Sequence, residues 1–93
     1  MSLTSVDAFD PLRYWQLSSQ VSLRDEAFGA LAYHHGTRRL VFLKSRELLE
    51  VVRCLGEFAS ADEAIIALVA PDQRGRYLVA LGSLYRSGLL DGR

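Results

Sequence analysis

The chain has little of what marks most function classes. Its 93 residues include one cysteine, Cys54, so no internal disulfide can form. Neither charge sign is in excess, with eleven basic and eleven acidic residues, which argues against a surface built chiefly for nucleic acid. No apolar run approaches the roughly 20 residues of a membrane span. The opening "MSLTSVDAFDPLRYW" lacks a basic region followed by an apolar core, so it is no secretory signal. There is no glycine-rich phosphate loop with a following Lys-Ser/Thr and no defensible Ser-His-Asp set. A soluble, cytoplasmic protein without catalytic activity or cofactor is expected.

Metal chemistry is equally poorly supplied. His34 and His35 are the only adjacent ligand pair, and neighbours on a strand point to opposite faces. A zinc site needs four ligands, or three and a water. Cys54 stands beside Val51 and Leu55, near an apolar stripe, and reads as a buried structural thiol rather than a nucleophile.

What is present is apolar pattern, at 49% of residues, enough for one small core. Residues 1–12 read as a flexible arm, above all in their first half, and residues 13–93 as one domain. In "QVSLRDE" Val21 and Leu23 alternate with polar neighbours, the period of a half-buried strand. "AFGALAYHH" supplies a second strand. "HGTR" is expected to turn, with Gly36 taking a positive φ. "RRLVFL" returns as the third.

After Leu43 the period becomes helical. Ser45 caps "RELLEVVRCLGEF", whose Leu48, Val51, Val52 and Leu55 share a face, and Gly56 is placed to end it. Ser60 and Glu63 form a capping box before "SADEAIIALVA", which Pro71 stops. Asp72 is positioned to cap a third helix, "QRGRYLVALGSLYRS", and Gly88 to end it. Leu89 and Leu90 then return to the core. Strands followed by helices indicate an α+β domain with a three-stranded antiparallel sheet and three helices.

The stretch "RRLVFLKS" carries the functional signal. Leu40 and Phe42 face one side of the strand, Val41 and Leu43 the other, and only one pair can pack on the helices. The strand is last in the meander, so one backbone edge is free. An open apolar edge is an aggregation hazard unless something uses it, and adding a peptide strand is a known recognition mode. Arg38, Arg39, Lys44 and Arg46 form a basic cluster that can guard that edge and attract acidic residues. A winged-helix nucleic-acid binder is the alternative, but the third helix offers only Arg74, Arg76 and Arg86 on an otherwise largely apolar surface.

These residues resemble the precursor-peptide recognition domains of ribosomally made, modified peptides, such as the pyrroloquinoline quinone precursor chaperone. The shared pattern is the Val21-x-Leu23-Arg24 strand, the Leu31-x-Tyr33-x-x-Gly36 hairpin, the capped second helix and the closing Gly88-Leu89-Leu90. "FGALAYHHGTRRLVFLKSRELLEVV", with the lead-in "YWQLSSQVSLRDE", is similar in particular to the mycofactocin biosynthesis peptide chaperones, over residues 13–90.

The resemblance implies a winged-helix-like fold. It implies binding of the mycofactocin precursor peptide's leader as a strand, and its delivery to a radical S-adenosylmethionine maturase. It selects Arg38, Arg39, Leu40, Val41, Phe42 and Leu43 for the peptide, with Tyr77, Leu81 and Leu84 from the third helix. No nucleic acid, membrane or cofactor enters, and strand exchange between two copies as a homodimer stays open. For docking of the maturase, the outer sheet face is expected to gather Trp15, Phe28 and either Leu40 or Phe42, the alternative being that residues 1–12 fold back and cover that face.

Overall fold

The computed structural model describes residues 9–92. The chain runs β1 Trp15–Leu17, β2 Val21–Glu26, β3 Gly29–His34, β4 Leu40–Leu43, α1 Arg46–Cys54, α2 Ala61–Leu68, α3 Arg74–Arg86 and β5 Leu90–Gly92. Short 3₁₀ turns follow α1 at Leu55–Glu57 and precede α3 at Pro71–Gln73. This is the expected α+β arrangement, with β2, β3 and β4 an antiparallel sheet in chain order and three helices after it. A second sheet is additional: β1 and β5 pair antiparallel, Trp15 opposite Gly92 and Leu17 opposite Leu90. Strands of three residues are too short to display an alternation, so the pattern did not disclose them.

The main sheet packs its small side chains inward. Ala30 and Ala32 of β3 are fully buried, while Leu31 and Tyr33 face the other way. The register places Leu43 and Val41 of β4, and Leu23 of β2, on the same inner face as the alanines. α1 lies over this face and buries Leu49, Val51 and Val52. A helix can approach that closely because alanine methyls leave room for its own large side chains.

Two turns hold the strands in register. Between β2 and β3 only Ala27 and Phe28 intervene, and Glu26 lies opposite Gly29. Gly29 has φ 151, and a Cβ there would stand 2.1 Å from the Leu43 carbonyl oxygen and 2.9 Å from the Ser45 nitrogen. Only glycine allows the exit of β4 to cross so near. Between β3 and β4 the left-handed residue is Arg38, at φ 63, not Gly36 as expected. The loop is organised instead by His34, whose Nδ1 accepts from the amides of Gly36 and Thr37, both at 3.1 Å. A Cβ at Gly36 would meet Gln20 Oε1 at 2.5 Å, the far end of a side chain that can move aside.

The helix caps follow the sequence in two of three cases. Ser45 Oγ accepts from the Leu48 amide at 2.9 Å, and Ser60 Oγ from the Glu63 amide at 3.1 Å. α3 differs: its N-cap is Gln73 without a side-chain bond, because Pro71, Asp72 and Gln73 already form the 3₁₀ turn that leads into it. Gly56 likewise lies within the turn that prolongs α1 rather than ending it. Gly88, at φ 83, does close α3, and the Leu89 amide returns to the Leu84 carbonyl at 3.0 Å.

A ring cluster joins the second sheet to α3. Trp15 meets Tyr85 edge-on at 5.0 Å and Phe9 at 5.3 Å, and its Nε1 donates to the Asp10 carbonyl at 2.8 Å. The Pro11 carbonyl accepts from the Asp62 amide at the start of α2. Residues 9–12 of the expected arm therefore pack beside α3 and α2. The rest of that arm, residues 1–8, lies outside the described residues.

Gly29→Ala combines a disfavoured φ with a backbone overlap, so it should cost about 2–5 kcal/mol in urea unfolding. Gly88→Ala, with a positive φ but open space around its Cβ position, should cost only about 1–2 kcal/mol. Equal losses would remove the close-approach argument for Gly29.

Candidate functional site: a strand edge beside a helix groove

β4 is an edge strand, and its hydrogen-bond phase can be assigned. The His34 amide donates to the Arg39 carbonyl at 2.9 Å. Successive bonded pairs in an antiparallel ladder fall two residues apart, so Ala32–Val41 and Ala30–Leu43 are bonded pairs. The N–H and C=O of Leu40 and Phe42 therefore point away from β3, to the free edge. Among the described residues no strand pairs there.

The opposite edge, β2, differs in charge. Asp25 of β2 is held by Arg53 of α1, an ion pair that ties the helix to that margin. The β4 margin carries Arg38, Arg39 and Lys44, all exposed, and no ion pair forms with them among the described residues.

Where β4 runs into α1, a groove of about 190 Å³ opens toward α3, lined by Lys44, Ser45, Leu48, Arg76, Tyr77 and Ala80. Its floor is fixed by Tyr77, whose hydroxyl donates to Glu47 Oε1 at 2.8 Å and lies 3.4 Å from Ser45 Oγ. The groove thus combines apolar wall, two cations and an ordered hydroxyl beside a free strand edge. That combination suits an extended peptide with apolar and acidic side chains.

The residues singled out from the sequence divide. Leu40, Phe42, Arg38 and Arg39 are exposed at the edge, and Val41 is half-buried. Leu43 is fully buried beneath α1 and can offer only backbone. Tyr77 lines the groove, but Leu81 and Leu84 are in the core, on the stripe of α3 that faces inward. Arg76 and Ala80 stand on the wall instead, a rotation that an apolar helix facing two environments does not reveal. Leu48 was missed for the same reason: it belongs to the apolar stripe of α1 yet turns to the groove, while Leu49 is buried. Trp15 is not on the outer sheet face. It is buried in the ring cluster, because β1 belongs to the other sheet. Phe28 is on that face, against Phe42.

No three His, Cys, Asp or Glu side chains gather for a metal among the described residues. His34 is engaged with the loop amides, and His35 lies 2.6 Å from Ser22 Oγ. Cys54 is half-buried, not fully buried, because it falls at the margin of the α1 stripe. Its thiol donates to Glu50 Oε2 at 3.4 Å. Desolvation, then the Glu50 hydrogen bond and the charges of Glu50 and Glu57, push its pKa above the ordinary thiol value. A thiol so placed is a poor nucleophile at neutral pH. Since the folded pKa is the higher one, stability falls as pH rises past the unfolded thiol's pKa. Alkylation by iodoacetamide should show a pH midpoint above that of the urea-unfolded chain, and Glu50→Gln should lower it. A native midpoint at or below the unfolded one would overturn this account.

The geometry describes a small binding domain, and comparison with known proteins agrees. The chain is 51% identical over 83 residues to a protein of Mycolicibacterium smegmatis named peptide chaperone MftB, covering 88% of this chain and 81% of that one. Proteins of the same name from Mycobacterium ulcerans and Mycobacterium tuberculosis are 48% and 45% identical, over 89% and 88% of this chain and 77% and 76% of theirs. No solved structure matches the chain. The model of the peptide chaperone MftB family matches residues 14–91, and the chain belongs to that family.

Proposed function

We propose that this protein is a non-catalytic peptide chaperone of mycofactocin biosynthesis. It binds the leader of the precursor peptide as a fourth strand on β4 and presents the peptide to a radical S-adenosylmethionine maturase. Family membership supports the chaperone role. The observation that carries strand addition is the phase of β4: the backbone groups of Leu40 and Phe42 face outward beside the groove of Leu48, Tyr77 and Ala80.

The balance of energies favours a sequence-selective interaction. Each strand hydrogen bond nets about 0.5–1.5 kcal/mol, and ordering each peptide residue costs about 1–2 kcal/mol. These nearly cancel. Each large apolar side chain buried adds about 1.5–3 kcal/mol, so the anchors in the groove decide affinity. Arg38, Arg39, Lys44 and Arg76 then favour a leader with carboxylates, each exposed pair contributing about 0–1 kcal/mol. Leu43, Leu81 and Leu84 act from behind, by holding β4 and α3 apart at the spacing of the groove.

Nucleic acid fits this surface less well. Arg74 of α3 is engaged with main-chain carbonyls, its Nε at 3.0 Å from the Val69 oxygen and a terminal nitrogen at 3.1 Å from that of Ile66. Elsewhere on α3, Val79 is largely exposed, an apolar side chain where a phosphate contact would need a cation. A second copy could pair with the same β4 edge, and such a homodimer would compete with the leader.

A synthetic leader should bind the isolated protein without metal or cofactor, with amide shifts concentrated at Leu40–Leu43 and Arg76–Ala80. The decisive comparison is a pair of proline variants. Phe42→Pro removes an outward N–H and should weaken leader binding while the domain stays folded. Val41→Pro leaves the buried Ala32 carbonyl without its donor and should cost about 1–3 kcal/mol of stability. Similar losses of stability in both, with leader affinity untouched, would exclude strand addition.

A further inference from the structure

The leader reading uses the edge of β4 and leaves the outer face of the sheet unassigned. The register sets Arg24, Leu31 and Phe42 in one row across the three strands, and Ser22, Tyr33 and Leu40 in the next. Phe28, carried out by the turn at Gly29, meets Phe42 edge-on at 6.1 Å and 68°. Phe28, Tyr33, Leu40 and Phe42 are 48%, 36%, 53% and 56% exposed. They border two adjoining depressions of about 520 and 320 Å³ that share Arg24 and Leu31. Contiguous exposed apolar surface of this kind on a small domain marks a contact site. Residues 9–12 do not cover it, since they pack on Trp15, Tyr85 and α2.

Charge and continuity identify the occupant. Three cations, Arg24, Lys44 and Arg46, border the larger depression or its Glu26 margin, against the one carboxylate of Glu26, which pairs with Arg24 at 2.7 Å. A second copy docked through this face would bring two patches of net positive charge together, because a twofold contact joins a patch to itself. The surface calls for a different protein with an apolar projection rimmed by carboxylates. Lys44 lines both this depression and the groove beside α3, so face and edge are continuous. A strand bonded to Leu40 and Phe42 sends every second side chain onto this outer face.

We propose that the outer face of β2, β3 and β4 is the docking surface for a carboxylate-rimmed partner protein that contacts the sheet and the added leader strand together. Leader and partner then bind cooperatively, because each completes the surface that the other reads. This rests on the leader reading, and the maturase is the partner it supplies.

The test titrates purified maturase against the full chain with and without synthetic leader, by calorimetry. Leader should tighten maturase binding about tenfold, and maturase should tighten leader binding by the same factor, as linkage requires. Phe28→Ser and Arg24→Glu, both at exposed positions, should each lose about tenfold or more of maturase affinity and retain leader affinity, with folding checked by circular dichroism. Unchanged maturase affinity in both folded variants would overturn the proposal. So would sedimentation showing a dimer that either variant dissolves. If the leader fails to bind the chain alone, the strand-addition reading falls. Loss of leader-free maturase binding in the variants would then still support the face while refuting its coupling to the leader.

Discussion

The structure depends on the inversion of size across β3. A sheet strand in a small domain ordinarily sends its large side chains to the core. Here Ala30 and Ala32 go inward and Leu31 and Tyr33 outward. The helix α1 can then approach the sheet closely, and Leu43, Leu49, Val51 and Val52 fill the space between. The remaining apolar side chains must go somewhere, and they go to the solvent side. The same choice that makes a thin core tight makes the outer face sticky. Exposed aromatic surface costs solubility, so its presence in a domain of this size points to use rather than accident.

Much of this was legible from the sequence, and the failures are specific. The three strands, three helices and two serine caps follow from periodicity and from short hydroxyl-to-amide bonds, both local properties. The free edge of β4 also followed from element order. The rotation of α3 did not. It has apolar residues on several sides because it faces the core, the groove and the Phe9 segment at once, so Leu81 and Leu84 could not be separated from Arg76 and Ala80. Trp15 was misplaced because pairing of β1 with β5 joins residues more than seventy positions apart, and three-residue strands carry no period. Gly29 was passed over because Ala27 and Phe28 look like the first residues of the second strand rather than a two-residue turn, until the crossing at Leu43 is seen.

The functional signal and the structural signal come from the same few residues. Leu40 and Phe42 present their side chains to one surface and their backbone groups to another. Peptide and partner could thus meet at one strand without competing for the same atoms. The cations around this strand are free of ion pairs among the described residues, whereas Asp25 and Arg53 secure the far margin of the sheet. The two edges of the sheet thus differ in their charge environment, with unpaired cations beside β4 among the described residues and an ion pair to α1 at β2.

The small sheet of β1 and β5 has a topological effect. Trp15 and Gly92 are opposite neighbours in that ladder, so the first and last strands of the domain lie side by side. The path between them is nearly a closed circuit, with the β4 edge far along it in sequence. Such a unit can be carried within or beside another polypeptide with short connections, and its ends can be rejoined in a different order, because neither operation requires the circuit to open. The ring of Trp15, lying within 3.2 Å of the position a Gly92 Cβ would take, is the clasp that keeps it shut.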